Sequence, residues 1–220
     1  MWPLPSRTLW VWERPEDLRA IDPHTTAIAW LDQTILLGAE TVSQPRRQPL
    51  AYPTSVTRIA VVRIEALPGA PLDAAQQQQT IHLLLESAAR PGIAALQIDF
   101  DATRSQRAFY GTLLVDLRRQ MPASLPLSIT ALASWCSYDD WIATLPVDEA
   151  VPMLFRMEPD RRRARPDRPE LRIREPLCTG SVGISTHEPW PEEMADKRIY
   201  IFADRGWRND LSLLSDRKLP

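Results

Sequence analysis

The feature that most limits the fold is a rhythm of eight short apolar runs, rich in branched and aromatic residues. They lie at 8–12, 27–30, 57–64, 94–101, 127–132, 150–157, 181–185 and 198–203. Runs of this length, bounded by turn residues, read as buried strands. Amphipathic stretches separate several of them. Residues 72–89 place Ile81, Leu84, Leu85 and Ala88 at helical spacing, and 105–121 do the same with Phe109, Leu113, Leu114 and Leu117. Pro91-Gly92 and Met121-Pro122 then stop the two helices. Strands alternating with helices predict a parallel sheet, and eight of them predict a closed one. The competing open, doubly wound sheet normally carries a glycine-rich first turn. This chain has 7 glycines and nothing resembling G-x-G-x-x-G. The predicted fold class is therefore α/β, a small TIM-like (β/α)8 barrel spanning residues 1–220 as a single domain. At 220 residues the chain is short for that fold, so shortened or missing helices are expected.

Two stretches depart from the alternation. Ile35-Leu36-Leu37, the turn residues Gly38-Ala39-Glu40 and then Thr41-Val42-Ser43-Gln44 predict a β-hairpin inserted after strand 2. Residues 158–176, dominated by Arg, Pro, Asp and Glu, read as an irregular excursion in place of a helix. Short helices or single turns are expected at 18–21, 141–145 and 191–195, and a partial last helix within 209–220. The 21 prolines predict short, rigid connections.

Composition narrows the partners. A net charge of -2 offers no basic surface for nucleic acid or for an anionic membrane. The run Arg161-Arg162-Arg163-Ala164-Arg165 is flanked by acids and prolines and reads as a solvated loop. No stretch approaches the roughly 18 apolar residues of a membrane-spanning segment. The N-terminus lacks a basic-then-apolar signal pattern and reaches a strand almost at once, which leaves a removed leader open. Cys136 and Cys178 are too few for a disulfide framework. The strand assignment sets them near opposite ends of their strands, so they are not expected to pair, and the redox compartment stays unread. Among His24, His82 and His187 no pair has zinc-ligand spacing and none completes a triad, so no metal or cofactor is assigned. His82 reads as structural, whereas His187 follows the seventh run.

In a parallel barrel, sites form at the carboxyl ends of the strands, and there the polar and aromatic residues gather. The first run ends in Trp12-Glu13-Arg14, the third in Arg63-Ile64-Glu65 and the fourth in Asp99-Phe100-Asp101. The fifth leads to Ser134-Trp135, the sixth to Arg156, the seventh to Ser185-Thr186-His187-Glu188 and the eighth to Asp204-Arg205-Gly206-Trp207. The fourth is the centre. Side chains alternate across a strand, so Leu96, Ile98 and Phe100 face the helices, while Gln97, Asp99 and Asp101 line the other face.

Unpaired buried acids are costly, and three readings account for these. In the first, Arg63 and Arg156 neutralise Asp99 and Asp101 as a salt-bridged floor. In the second, repulsion and desolvation raise the pKa of one carboxyl, which donates a proton while its neighbour stays ionised. That suits glycoside cleavage, whose oxocarbenium-like transition state needs an acid and a negative stabiliser. Asp101 is then the proton donor, Asp99 its stabiliser and Glu65 a further catalytic candidate. Arg63, Arg156 and Asp204 would contact the substrate. Trp12, Trp135 and Trp207 would offer indole faces that match the C–H faces of a pyranose, so the expected partner is carbohydrate. A catalytically silent barrel that binds a glycan or a protein through the same mouth is the alternative. The third reading, a metal-dependent phosphoester site, uses the same hard oxygens, but the nearby arginines compete with a cation.

Leu96-Gln97-Ile98-Asp99-Phe100-Asp101-Ala102, followed by Tyr110, Leu113-Leu114 and Leu127 through Trp135, resembles a bacterial family known as domain of unknown function 3142. Val182-Gly183-Ile184-Ser185-Thr186, Glu188-Pro189 and Tyr200-Ile201-Phe202 through Trp207 are similar to its later segments. The resemblance implies an exported protein whose leader has been removed. More distantly, Asp99 and Asp101 resemble the D-x-D-x-E strand ending of the chitinase-like TIM-barrel glycoside hydrolases. That correspondence puts Thr103 where those enzymes carry their catalytic acid, and threonine cannot protonate a leaving group. Their substrate-assisted mechanism is therefore not carried over, and an acid would have to come from Asp101, Glu65 or Asp204.

Overall fold

The computed structural model describes residues 4–155, 172–191, 194 and 196–216. In chain order come β1 (Arg7–Val11), β2 (Glu16–Asp17), β3 (Thr26–Leu37), β4 (Thr41–Pro45), β5 (Leu50–Ala51), β6 (Arg58–Ala66) and α1 (Ala74–Ala88). They are followed by β7 (Ala95–Asp99), α2 (Arg107–Gln120), β8 (Leu127–Leu132), α3 (Ala133–Ser137) and β9 (Glu149–Met153). Beyond residue 172 lie β10 (Ser181–Ser185), β11 (Arg198–Phe202), α4 (Trp207–Asp210) and α5 (Leu213–Asp216). Eight strands, in the order β1-β3-β6-β7-β8-β9-β10-β11, pair in parallel and close into a barrel because β1 pairs with both β3 and β11. The TIM-like barrel expected from the apolar rhythm is the observed fold.

Only α1 and α2 are long helices among the described residues, and they cover the same side of the barrel. Asp73 caps α1 by accepting the Gln76 N–H at 2.9 Å. Thr103 and Gln106 form a capping box ahead of α2. Phe109, Leu113 and Leu117 repeat every four residues and bury against the outer faces of β6, β7 and β8. Around β1, β10 and β11, single-turn helices and loops replace long ones, with Leu18, Met194 and Trp207 as the outer layer. The expected hairpin is present as β3 and β4, joined through Gly38-Ala39-Glu40, but its first arm is no insertion. β3 runs unbroken from Thr26 to Leu37, with a register shift between Leu31 and Gln33, and its upper half carries the hairpin. At 18–21 and 141–145 the chain forms turns. The excursion at 158–176 and the helix at 191–195 fall largely outside the described residues.

Inside the barrel, every second strand residue points to the axis. Trp10, Ala29, Ile59, Val61, Ala95, Val151, Tyr200 and Phe202 form the apolar part of that interior. Polar side chains fill the rest. Gln97 accepts from the Trp10 indole at 2.8 Å and donates to Ser128 at 3.0 Å. Glu149 accepts from Ser128, Tyr200 and Arg198 at 3.0, 2.8 and 2.6 Å. One seam is thin. Pro152 in the middle of β9 has no N–H to donate, and Gly183↔Met153 is the single register pair between β9 and β10. A side chain at Gly183 would meet the Phe202 ring and the Pro152 carbonyl oxygen, each at 3.3 Å.

The cysteine expectation is corrected. Cys136 and Cys178 form a disulfide with a Cα–Cα distance of 5.9 Å. Distance along the strands misled because neither cysteine lies in one. α3 folds back over the outside of the barrel, and the helical turn Pro176–Cys178 packs on β9 beside it. The amides of Arg174 and Glu175 both donate to the Cys136 carbonyl oxygen, at 2.8 and 3.1 Å. The bond closes a loop between residues 42 apart, and cross-linking a loop of that order stabilises by about 2–4 kcal/mol. Cys136→Ser with Cys178→Ser is expected to lower the urea midpoint accordingly. Reductant should do the same to the wild type and nothing further to the double variant; a double variant and a reduced wild type that both keep the wild-type midpoint would show that the bond does not stabilise the fold.

Candidate active site

β6 and β7 lie side by side with Arg63 in register with Asp99, so an ion pair at the mouth follows from strand pairing alone. Arg63 Nη1 donates to Asp99 Oδ2 and its Nε to Glu65 Oε1, each at 2.7 Å. The other Asp99 oxygen, Oδ1, accepts from the Thr130 hydroxyl at 2.7 Å. Asp99 is 2% exposed and held at both oxygens. Asp101 is held far less: Arg63 Nη2 stands 3.9 Å from its Oδ2, and its side chain is 36% exposed. Arg63 thus holds Asp99 closely and Asp101 at a distance.

Electrostatics follow that division. Burial disfavours the charged form of Asp101, and the negative charges of Asp99 and Glu65 add to it. Arg63 opposes them, and the net effect pushes Asp101 up from 3.8 to about 6. For Arg63, burial lowers the pKa, but the pull of Asp99, Glu65 and Asp101 outweighs it, so the guanidinium is held firmly charged. Tyr110 on α2 is fully buried. Its phenol is pushed well above the ordinary range by burial, then by Asp99 and Asp101. Because Asp101 binds its proton more tightly folded than unfolded, its contribution is fully present below about pH 4 and is lost as pH rises through about 6. Asp101→Asn is therefore expected to match the wild-type melting temperature near pH 4 and to exceed it near pH 7. A difference that stays constant with pH would contradict this.

Aromatic rings form the floor beside the acids. Trp10 stacks on Phe202 at 5.0 Å, Trp12 lies 4.2 Å from Trp10, and Phe155 lies 4.7 Å from Phe202. Arg63 sits over the Trp12 ring at 5.7 Å. Asp204 follows β11, four strands from β7 in either direction around the ring, and its Oδ1 accepts from Ser185 Oγ at 2.5 Å. His187 turns to Asp210, with Nε2 3.0 Å from Oδ1. Among the described residues no three His, Cys, Asp or Glu side chains are arranged to hold a metal ion.

The structure thus brings together Asp99, Asp101, Glu65, Arg63 and Trp12, with Asp204 on the opposite rim. Trp135 and Trp207 depart from the expectation that they form substrate walls. They are 2% and 1% exposed, because α3 and α4 turn back over the outside of the barrel and bury both rings there. Trp207 donates to the Trp10 carbonyl oxygen at 2.9 Å. Arg156 lies outside the described residues. Sequence reasoning missed Trp10 and Thr130, although parity could have found both: Trp10 shares a face with Trp12, and Thr130 shares one with Ser128.

No helix among the described residues is long and apolar enough to cross a membrane. No curated protein matches the chain. Among solved structures, the spore cortex-lytic enzyme SleL of Bacillus cereus is similar at a TM-score of 0.51 and 15% identity, over 82% of this chain and 51% of that one. The chitinase domain of the spore coat protein CotE from Clostridium difficile has a TM-score of 0.40 and 14% identity, over 68% of this chain and 49% of that one. The chain therefore spans about half the length of each, and its likeness to SleL is one of barrel fold. Residues 54–157, the stretch that holds Arg63, Glu65, Asp99, Asp101 and Thr130, match the model of the family described as "Domain of unknown function (DUF3142)".

Proposed function

We propose that this barrel is a glycoside hydrolase whose proton donor is Asp101. One observation carries the proposal: a carboxyl pushed up to about 6 stands beside a second carboxylate that Arg63 and Thr130 hold in place. The first can deliver a proton near neutral pH, and the second supplies fixed negative charge for an oxocarbenium-like transition state. Trp12 offers an apolar face for a sugar ring at the same mouth. A barrel fold shared with an enzyme described as cortex-lytic is a fitting frame for such chemistry, although fold alone assigns none. Wild type and Asp101→Asn are to be incubated with a panel of polysaccharides, with new reducing ends counted in the presence and absence of a chelator. Cleavage that needs Asp101 and survives the chelator supports the proposal. Cleavage abolished by the chelator would favour the metal-dependent phosphoester reading instead.

A specific observation favours the second reading, a barrel that binds a glycan without cutting it. Thr103 is committed to starting α2. Its amide donates to Gln106 Oε1 at 2.8 Å, and its hydroxyl lies 3.1 Å from that of Ser105. Equal glycan binding by wild type and Asp101→Asn, with no new reducing ends from either, would establish that reading.

A further inference from the structure

We propose that Thr130 is a positioning residue of this site, fixing Asp99 so that the proton of the acid pair resides on Asp101. Thr130 is 1% exposed and comes from β8, the neighbour of β7 on the side away from Arg63. Its hydroxyl donates to Asp99 Oδ1 at 2.7 Å, while Arg63 Nη1 donates to Oδ2 at the same distance. Asp99 is therefore gripped from both adjacent strands, whereas among the described residues Asp101 is approached by Arg63 Nη2 at 3.9 Å. A hydrogen bond to a carboxylate favours its charged form. Thr130 thus helps fix a negative charge beside Asp101, and that charge favours the protonated form of Asp101. A carboxylate with both oxygens engaged is also poorly placed to attack a substrate, which makes Asp99 a fixed charge rather than a nucleophile.

Among the described residues, the groups that face the two acids are Arg63 and Glu65 from β6 and Thr130 from β8, with the buried Tyr110 of α2 near enough to feel their charge. Of these, Thr130 can be changed almost without changing shape. Valine preserves the branched outline and removes the hydroxyl, and serine keeps the hydroxyl alone. The catalytic consequence rests on the glycoside hydrolase proposal; the placement of the proton does not.

The test is a carboxyl-carbon NMR titration of Asp101 in the wild type, Thr130→Val and Thr130→Ser, with no ligand present. Loss of a hydrogen bond to a charged group is worth about one pH unit where it acts, so the Asp101 midpoint is expected to fall by up to that amount in Thr130→Val. Thr130→Ser should restore it. An unchanged or raised Asp101 midpoint in Thr130→Val overturns the proposal, and so does a Thr130→Ser variant that titrates like valine. If Thr130→Val fails to fold, Thr130→Ser against Thr130→Ala makes the same comparison. The titration succeeds or fails whether or not any glycan is cleaved, so it stands apart from the fate of the hydrolase proposal.

Discussion

Replacing Asp101 with asparagine is expected to reduce glycan cleavage by about 10²–10⁴-fold, the usual contribution of a general acid, while leaving glycan affinity nearly unchanged. Asparagine keeps the size and the hydrogen-bonding edge of the side chain, so lost binding would not explain lost rate. The pH profile supplies the stronger evidence. A donor pushed up to about 6 is protonated below that value, so wild-type cleavage should fall as pH rises through about 6. In Asp101→Asn the residual activity should lack that descending limb. Retention of both the limb and most of the rate would move the proton donor to Glu65 or Asp204. Glu65 already binds Arg63 Nε at 2.7 Å, and Asp204 accepts from Ser185 at 2.5 Å, so each would have to leave a partner to act. Among the described residues, Asp101 is the loosest held of the four mouth carboxyls, with Arg63 Nη2 3.9 Å from its Oδ2.

Replacing Glu149 with alanine is expected to destabilise the fold by about 3–5 kcal/mol, the usual cost of breaking a buried ion pair from one side. Glu149 is 4% exposed and Arg198 is 7% exposed, and the carboxylate accepts from β8 and β11 at once through Ser128, Tyr200 and Arg198. Tyr200 remains a donor throughout the accessible pH range, because burial and then Glu149 hold its phenol well above its ordinary value. The alanine variant removes the carboxylate on which Ser128, Tyr200 and Arg198 converge. Glu149→Leu combined with Arg198→Met should recover much of the loss, since a buried pair is often no better than well-packed apolar residues. Urea unfolding of the two variants decides this. A single variant within about 1 kcal/mol of wild type would show that the interior pair is dispensable.

Strand positions were the most legible part of the chain, because the apolar runs are short, branched and well separated. The run at 181–185 coincides with β10, and 127–132 coincides with β8. The central pair of acids was also legible, since period-two alternation puts Asp99 on the face opposite Ile98 without further information. Asp101 lies beyond the end of β7, and there alternation no longer binds, which is why Asp99 is buried and Asp101 half-exposed. Three features were hidden for a common reason. The disulfide, the burial of Trp135 and the burial of Trp207 all depend on which way the chain turns after leaving a strand. α3 and α4 turn outward, and no short-range pattern encodes that direction. The Glu149 network was missed differently. Its glutamate stands one residue before the expected run at 150–157, so the acid that begins β9 read as the end of a loop.

The bond between Cys136 and Cys178 has a consequence for how damage to this protein would look. Every backbone position between those cysteines lies within a covalent ring that includes α3's last residue, all of β9 and the chain leading to β10. A protease that cuts once inside the ring leaves a single molecule of unchanged mass apart from one added water. The break stays invisible on a non-reducing gel and divides the chain in two as soon as a thiol is added.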